Sequence, residues 1–350
     1  MHSIDQAKEV LKQYWGFEDF RVHQTPIIEA VLQKKNGLAI LPTGGGKSLC
    51  YQVPALVQEG LCIVISPLIA LMRDQVDTLR KKNIVAYAIF SGMPAVEVDR
   101  ILDNCVYGQV KLLYVSPERL ATPIFQERFK KMKISFIAID EAHCISQWGH
   151  DFRPAYRHIA AHLVEQKPQI FAFTATATPE VQADIKESLG ITEAETYKGD
   201  LIRTNLAYVV RKTGDKLTAT RNILDKVSGP AIIYVRNRRR TKDFALRLRD
   251  MKISAVYYHA GLSPEDRQKM QEHWFEGKSR VMVCTNAFGM GIDKGDVRTV
   301  IHIDVPDSPE AYFQEAGRAG RDGEPAYAVV LYADEDIELI TEQLKKKYPT

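Results

Sequence analysis

The 350-residue chain lacks any stretch able to cross a bilayer: its longest uncharged run, residues 83 to 96, is 14 residues long and is broken by Asn, Ser, Gly and Pro. A membrane-spanning helix needs about 20 mostly apolar residues. An apolar leader core is missing too. Met1 to Glu9 mixes two acids and one lysine among its apolar residues, so no secretion signal is expected and the chain is expected to stay inside a cell, cytoplasmic and nucleoid-associated in a bacterium or nuclear in a eukaryote. Paired cysteines are absent: the five, at 50, 62, 105, 144 and 284, are odd in number, far apart and without a C-x-x-C pair. That spacing argues against a disulfide framework and a zinc site, and all five are expected to be reduced. Excess charge is also lacking. With 47 basic against 44 acidic residues, the net charge of +3 is too small for a general nucleic-acid coat, although a local basic groove can exist within it. There is no internal repeat or low-complexity segment. A composition of 45% hydrophobic and 26% charged residues excludes disorder, and the length suggests two domains.

What is present is an alternation of short β-branched apolar runs with longer amphipathic stretches, the pattern of βα units and a parallel sheet. Strands are predicted at 38–41, 62–66, 87–90, 112–115, 136–139 and 170–173, and again at 207–210, 232–235, 255–258, 281–284, 300–303 and 328–332. The polar stretch Lys198-Gly199-Asp200 separates the two series. The expected architecture is α/β, with two tandem open parallel sheets: a first lobe over 1–200, a second over 201–335, and the start of a C-terminal helix over 336–350.

The first predicted strand runs into Pro42-Thr43-Gly44-Gly45-Gly46-Lys47-Ser48, with a helix expected from Lys47. This is a P-loop pattern. Glycines let backbone N–H groups cradle phosphates at a helix N-terminus, Lys47 reaches the β- and γ-phosphates, and the Ser48 hydroxyl can ligate Mg²⁺. The general pattern places a glycine where this chain has Leu41. The predicted strand 136–139 leads directly into Asp140-Glu141-Ala142-His143, where Asp140 would hold the Mg²⁺ and Glu141 would orient and deprotonate the attacking water. About 270 residues after Lys47, Gln314-Glu315-Ala316-Gly317-Arg318-Ala319-Gly320-Arg321-Asp322-Gly323 offers two arginines for the transferring phosphoryl group, with Arg321 the first choice for direct contact. The alternative for either arginine is an ion pair with Glu315 or Asp322. Because these arginines belong to the second lobe, ATP is expected in the cleft between the lobes.

In this order, P-T-G-G-G-K-S, D-E-A-H, T-A-T-A-T (174 to 178) and Q-E-A-G-R-A-G-R-D-G resemble the motifs of superfamily 2 helicases. The stretch Cys144-Ile145-Ser146-Gln147-Trp148-Gly149-His150-Asp151-Phe152-Arg153-Pro154 is similar to the aromatic-rich loop that follows the D-E-A-H box in RecQ DNA helicases. The likeness extends from Phe17 to about Asp334. It includes Ser66-Pro67-Leu68-Ile69-Ala70-Leu71-Met72, Ser116-Pro117-Glu118-Arg119-Leu120 and Ala287-Phe288-Gly289-Met290-Gly291-Ile292-Asp293-Lys294.

The resemblance implies two RecA-like lobes and an adenine site in Gly16 to Gln24, where Gln24 would make a bidentate amide contact and Phe17 and Arg21 would stack. It also brings Asp293 toward the ribose. For the nucleic acid it points to His143, Gln147, Trp148, Phe152 and Arg153, with aromatic rings stacking on bases. Thr174 and Thr176 would couple ATP to the strand, and Ser66, Ser116, Arg119, Thr285 and Asn286 would line the same groove. The alternatives are a core plug for Trp148 and a cap on the helix near Pro179 for the two threonines. The run Arg236-Asn237-Arg238-Arg239-Arg240 is either a phosphate contact or a solvated face.

The implied activity is that of a monomeric ATP- and Mg²⁺-dependent motor that moves 3′ to 5′ on single-stranded DNA and unwinds tailed duplexes in recombination and repair. An RNA-directed helicase and a nucleotide-controlled DNA clamp are the competing readings. The four-cysteine zinc module and winged helix common in RecQ-like enzymes have no counterpart before Thr350, so a shortened or naturally short form is expected.

Overall fold

The computed structural model describes residues 3–149, 151–200, 202–288 and 294–347, within two compact units, Met1–Leu201 and Ile202–Thr350. Among the described residues no helix is long and apolar enough to cross a membrane.

The first unit is organised on seven strands: β1 (Gly37–Ile40), β2 (Leu61–Ile65), β3 (Ala86–Ile89), β4 (Leu112–Val115), β5 (Ile134–Ile139), β6 (Ile170–Thr174) and β7 (Glu195–Lys198). They pair in parallel in the order β3-β4-β2-β5-β6-β1-β7. Helices cover both faces, so the inner strands are buried on each side and read as unbroken apolar runs. Successive side chains go to opposite cores: Leu38, Ile63, Leu113 and Ile137 pack on one face, and Ala39, Val64, Tyr114 and Ala138 on the other. Gly37 lies opposite Phe171 in the β1–β6 register, and a Cβ there would strike the phenyl ring. Ahead of the sheet, the helix Ile4–Trp15 starts at a capping box between Ser3 and Gln6 and ends at Gly16, whose φ of +74° turns the chain toward Phe17 to Gln24.

The second unit holds β8 (Leu206–Lys212), β9 (Ala231–Tyr234), β10 (Ala255–Tyr258), β11 (Val281–Cys284), β12 (Thr299–His302) and β13 (Ala326–Tyr332). These form a parallel sheet in the order β10-β11-β9-β12-β13-β8. Ile232, Met282 and Val300 face one core, and Ile233, Val283 and Ile301 the other. The closing helix Asp334–Lys347 carries three acids in its first turn, which complement the positive end of its dipole. One of them, Asp336, pairs with Lys216 at 2.6 Å.

Each of the twelve predicted strands is present, with ends within two residues of those expected. The additional strand is β7, Glu-Thr-Tyr-Lys. It pairs only with β1 at the sheet edge and needs no apolar run.

Candidate active site

Strands β1, β6 and β5 are successive neighbours, so the loops leaving their carboxyl ends, at 42–48, 175–178 and 140–145, gather at one end of the first sheet. Open parallel sheets bind ligands there. In the glycine loop, Gly44 and Gly46 have φ of +80° and +76°, left-handed values that favour glycine. The Gly45 N–H donates to Pro42 O at 2.9 Å, closing the turn. Leu41 remains in the sheet: its N–H donates to Thr174 O at 3.0 Å, so the chain has not begun to turn where the general pattern has its first glycine. Lys47 Nζ donates to Leu41 O at 3.3 Å, and the Ser48 hydroxyl hydrogen-bonds to that of Tyr51. The helix expected from Lys47 begins instead at Leu49. The N–H groups of Leu49, Cys50 and Tyr51 bond three residues back, to Gly46, Lys47 and Ser48, tightening the entry into a 3₁₀-like turn.

Asp140 follows β5, and its N–H donates to Ile65 O at 2.9 Å. Its Oδ1 accepts the Glu141 N–H at 3.0 Å, while the Tyr156 hydroxyl donates to its carbonyl at 3.1 Å. Burial, reinforced by the neighbouring Glu141 charge and opposed by Lys47, pushes the Asp140 carboxyl up to about 7. Glu141 has φ of +49°, a left-handed conformation that costs a residue with a Cβ roughly 1–2 kcal/mol. Its Oε2 is buried without a hydrogen bond, 3.4 Å from His143 Nδ1. The buried Asp140 carboxylate, the adjacent Glu141 with its unsatisfied oxygen and the Ser48 hydroxyl are the hard oxygen donors that suit Mg²⁺.

His143 is buried, and its Nδ1 lies 3.0 Å from Thr174 Oγ1, which donates to Thr176 O at 3.0 Å. The helix Pro179–Leu189 is capped by Thr178, so neither Thr174 nor Thr176 has the capping role. His143, Cys144 and Asp151 also bring one potential metal ligand each within 4.8 Å of one another. Burial raises the Cys144 thiol, however, and Asp151 is paired with Arg153.

The adenine candidates reach the glycine loop. Gln24 is buried; its Oε1 accepts the Arg21 N–H at 2.9 Å and its Nε2 donates to Gly46 O at 3.2 Å and Gly45 O at 3.4 Å. Arg21 donates to Gly44 O at 2.8 Å, and Phe17 is exposed. Thr43 is half-buried at the start of the turn.

In the aromatic-rich loop, Trp148 is 80% exposed, which rules out a core plug, and its N–H donates to Ser146 Oγ at 3.2 Å. Gln147 is exposed and Phe152 half-buried. Arg153 donates to Pro67 O at 2.9 Å and to Asp151 Oδ2 at 3.2 Å. Ser66 and Ser116, at the ends of β2 and β4, have buried hydroxyls without a hydrogen bond, as has Thr176. Arg119 donates to Phe90 O at 3.0 Å.

In the second unit Arg318 is buried and hydrogen-bonds to the Tyr234 hydroxyl, whereas Arg321 is half-buried. The acids that might have held them are engaged elsewhere: Glu315 lies 2.8 Å from His302 Nε2, and both Asp322 oxygens lie 2.6 Å from Arg298. Thr285 is buried after β11 and Asn286 is exposed. Asp293 lies outside the described residues. Within the basic run, Arg236 pairs with Asp307 at 2.7 Å and Arg240 with Asp304 at 2.8 Å.

Residues 21–185 match the DEAD/DEAH box helicase family and residues 215–323 the helicase conserved C-terminal domain. The ATP-dependent DNA helicase RecQ of Bacillus subtilis (strain 168) is 43% identical over 338 residues, covering 95% of this chain and 57% of that protein. The ATP-dependent DNA helicase RecQ of Synechocystis sp. (strain PCC 6803) is 40% identical over 338 residues, 93% of this chain and 71% of its own length. The chain belongs to the RecQ helicase family. Its fold also resembles that of Mycobacterium smegmatis helicase Lhr bound to ssDNA and AMP-PNP, with a TM-score of 0.75 at 19% identity, over 94% of this chain and 47% of Lhr.

Several connections in this RecQ-family chain had no signal in the sequence. The His302–Glu315 contact joins a strand to a helix 13 positions away, and the Arg298–Asp322 contact joins two loops 24 positions apart. His23, absent from the predicted set, places Nε2 3.0 Å from Gly45 O. Its position beside Gln24 was the available hint.

Proposed function

We propose that this chain is the motor core of an ATP- and Mg²⁺-dependent DNA helicase. It moves 3′ to 5′ along single-stranded DNA, separates tailed duplexes in recombination and repair, and acts as a monomer in the compartment that holds the DNA. The observation that carries this reading is the buried path from the carboxylate loop through His143 to Thr174 and Thr176. It links the site of hydrolysis to a row of strand ends bearing unsatisfied hydroxyls. The RecQ relatives, named ATP-dependent DNA helicases, support the same substrate class, and the direction rests on the family resemblance. Lys47 and the glycine-loop amides bind the phosphates, Gln24, Phe17 and Arg21 address the base, and Asp293 the ribose. Glu141 orients and deprotonates water, and Arg321, with Arg318, supplies positive charge to the transition state. Bound Mg²⁺, held by Ser48 and Asp140, would supply charge neutralisation on the phosphates. Trp148, Phe152, Gln147, Arg153, Ser66, Ser116 and Arg119 of the first unit, and Thr285 and Asn286 of the second, are the strand-binding residues of this reading.

The test measures ATPase stimulation by matched DNA and RNA strands, and strand separation on 3′-tailed, 5′-tailed and blunt duplexes. DNA-specific stimulation with separation confined to 3′-tailed substrates is expected. Preference for RNA, or single-turnover hydrolysis without separation, would overturn the proposal.

A further inference from the structure

A groove of about 410 Å³ opens on the outer flank of the first sheet, at edge strand β3 between the helices Ile69–Lys81 and Ala95–Tyr107. Arg73, Arg80 and Arg100 line it, with Asp77 and Glu97. The Arg73 guanidinium lies over the Phe90 ring at 4.7 Å and that of Arg80 over the Tyr87 ring at 4.9 Å. Asp77 is four residues after Arg73 and three before Arg80 on one helix, yet among the described residues neither arginine forms an ion pair with it. Arg80 Nε also donates to Ala86 O at 3.0 Å; the rings thus hold planar cations in place, and with three arginines against two acids the groove keeps an excess of positive charge, an arrangement that suits phosphate oxygens and flat bases. The helix Ala95–Tyr107 begins at the groove with Pro94 as its N-cap and no side-chain cap. The Glu97 N–H donates to Pro94 O at 3.1 Å, which leaves the N–H groups of Ala95 and Val96 as a further attraction for an anion.

The sheet order sets the ends of β2, β4 and β3 in a row, so Ser66, Ser116 and Phe90 succeed one another toward this flank. Arg119 joins the row to the groove by donating to Phe90 O at 3.0 Å and Met93 O at 3.5 Å. We infer that the groove is a second phosphate-binding segment for a single nucleic-acid strand, continuing the path beyond the strand-end hydroxyls. The inference rests on the DNA-motor reading.

The test uses the full chain, oligo-dT in a short and a long form, and the variants Arg100→Gln and Arg73→Gln/Arg100→Gln. Each phosphate contact on a single strand contributes about 0.7 to the slope of log affinity against log salt. For the long oligonucleotide, the single variant is expected to lower the slope by about 0.7 and the double variant by about 1.4. The short oligonucleotide and the ATPase it stimulates should be unaffected. The Arg100 side chain makes no hydrogen bond or ion pair among the described residues, so its replacement tests the charge without disturbing the packing of Arg73 on Phe90. Inorganic phosphate at matched ionic strength should selectively erase the long oligonucleotide's advantage. An unchanged slope on the long oligonucleotide overturns the inference, as does an equal loss on both lengths. Failure of the parent chain to bind either strand overturns the motor reading itself.

Discussion

Thr174→Val replaces a fully buried side chain by one of nearly the same shape, so it removes a hydroxyl without opening a cavity. That hydroxyl lies 3.0 Å from His143 Nδ1 and donates to Thr176 O at 3.0 Å. Two buried hydrogen bonds contribute about 0.5–1.5 kcal/mol each, and a group left buried without its partner adds a desolvation cost of similar size. A loss of about 2 kcal/mol is expected, which for a unit of this size lowers Tm by roughly 4–8 °C. Denaturant unfolding monitored on the Val and Ser variants would measure it. Nucleotide affinity should be retained while DNA stimulation of the ATPase falls, because the bond connects the carboxylate loop to the strand-end loop rather than to the phosphates. Thr174→Ser keeps the hydroxyl and loses a methyl, so it should be destabilised through packing yet retain stimulation. A Val variant with parental stability and full stimulation, or a Ser variant as uncoupled as Val, would refute the reasoning.

Lys47→Ala should weaken ATP binding and abolish turnover. Glu141→Gln should bind ATP at parental affinity yet hydrolyse it at least about 10²-fold more slowly, a contrast that equilibrium binding and single-turnover kinetics resolve. Trp148→Ala should leave stability within about 0.5 kcal/mol of the parent, as at other exposed positions, while weakening single-strand binding by about 1–3 kcal/mol. Joint loss of thermal stability and basal ATPase would return the ring to a structural role. Arg318→Ala, which empties a buried site against Tyr234, should lower turnover and also the unfolding midpoint of the second unit, so its loss of activity is read only against that loss of stability. Arg321→Ala should instead reduce turnover by about 10³ or more with modest change in nucleotide affinity; parental turnover in that variant would move the charge to another residue.

The inner strands were legible because helices bury both of their faces, which turns each into an apolar run; β8, an edge strand exposed beyond Leu206, was legible only from its aromatic and β-branched run Tyr208-Val209-Val210. The same logic hides β7. A strand with one partner and half-exposed Thr196 and Tyr197 has no burial signature of its own. The glycine loop and the carboxylate loop were legible for a different reason: their chemistry lies within a few consecutive residues, so spacing alone constrains it. Connections that close through space, such as Arg298 to Asp322 and His302 to Glu315, leave no such trace. They decide whether Arg318 and Arg321 keep the acids adjacent to them in sequence as partners.

Gln24 shows where a motif falls short of a mechanism. Its position in the N-terminal motif suggests an amide free to read a base, but an amide has one oxygen and two N–H donors. Here the oxygen takes the Arg21 N–H while the nitrogen spans Gly45 O and Gly46 O. A Cβ on Gly46 would overlap that nitrogen, so the third glycine of the loop is needed as much for Gln24 as for phosphate. A base that takes the amide N–H groups therefore exchanges existing hydrogen bonds, whereas the oxygen keeps a second lone pair able to accept a base N–H. The net gain from each such exchange is only about 1 kcal/mol or less. Most of the affinity for ATP is then expected from the phosphate end, where Lys47 follows directly on the left-handed Gly46.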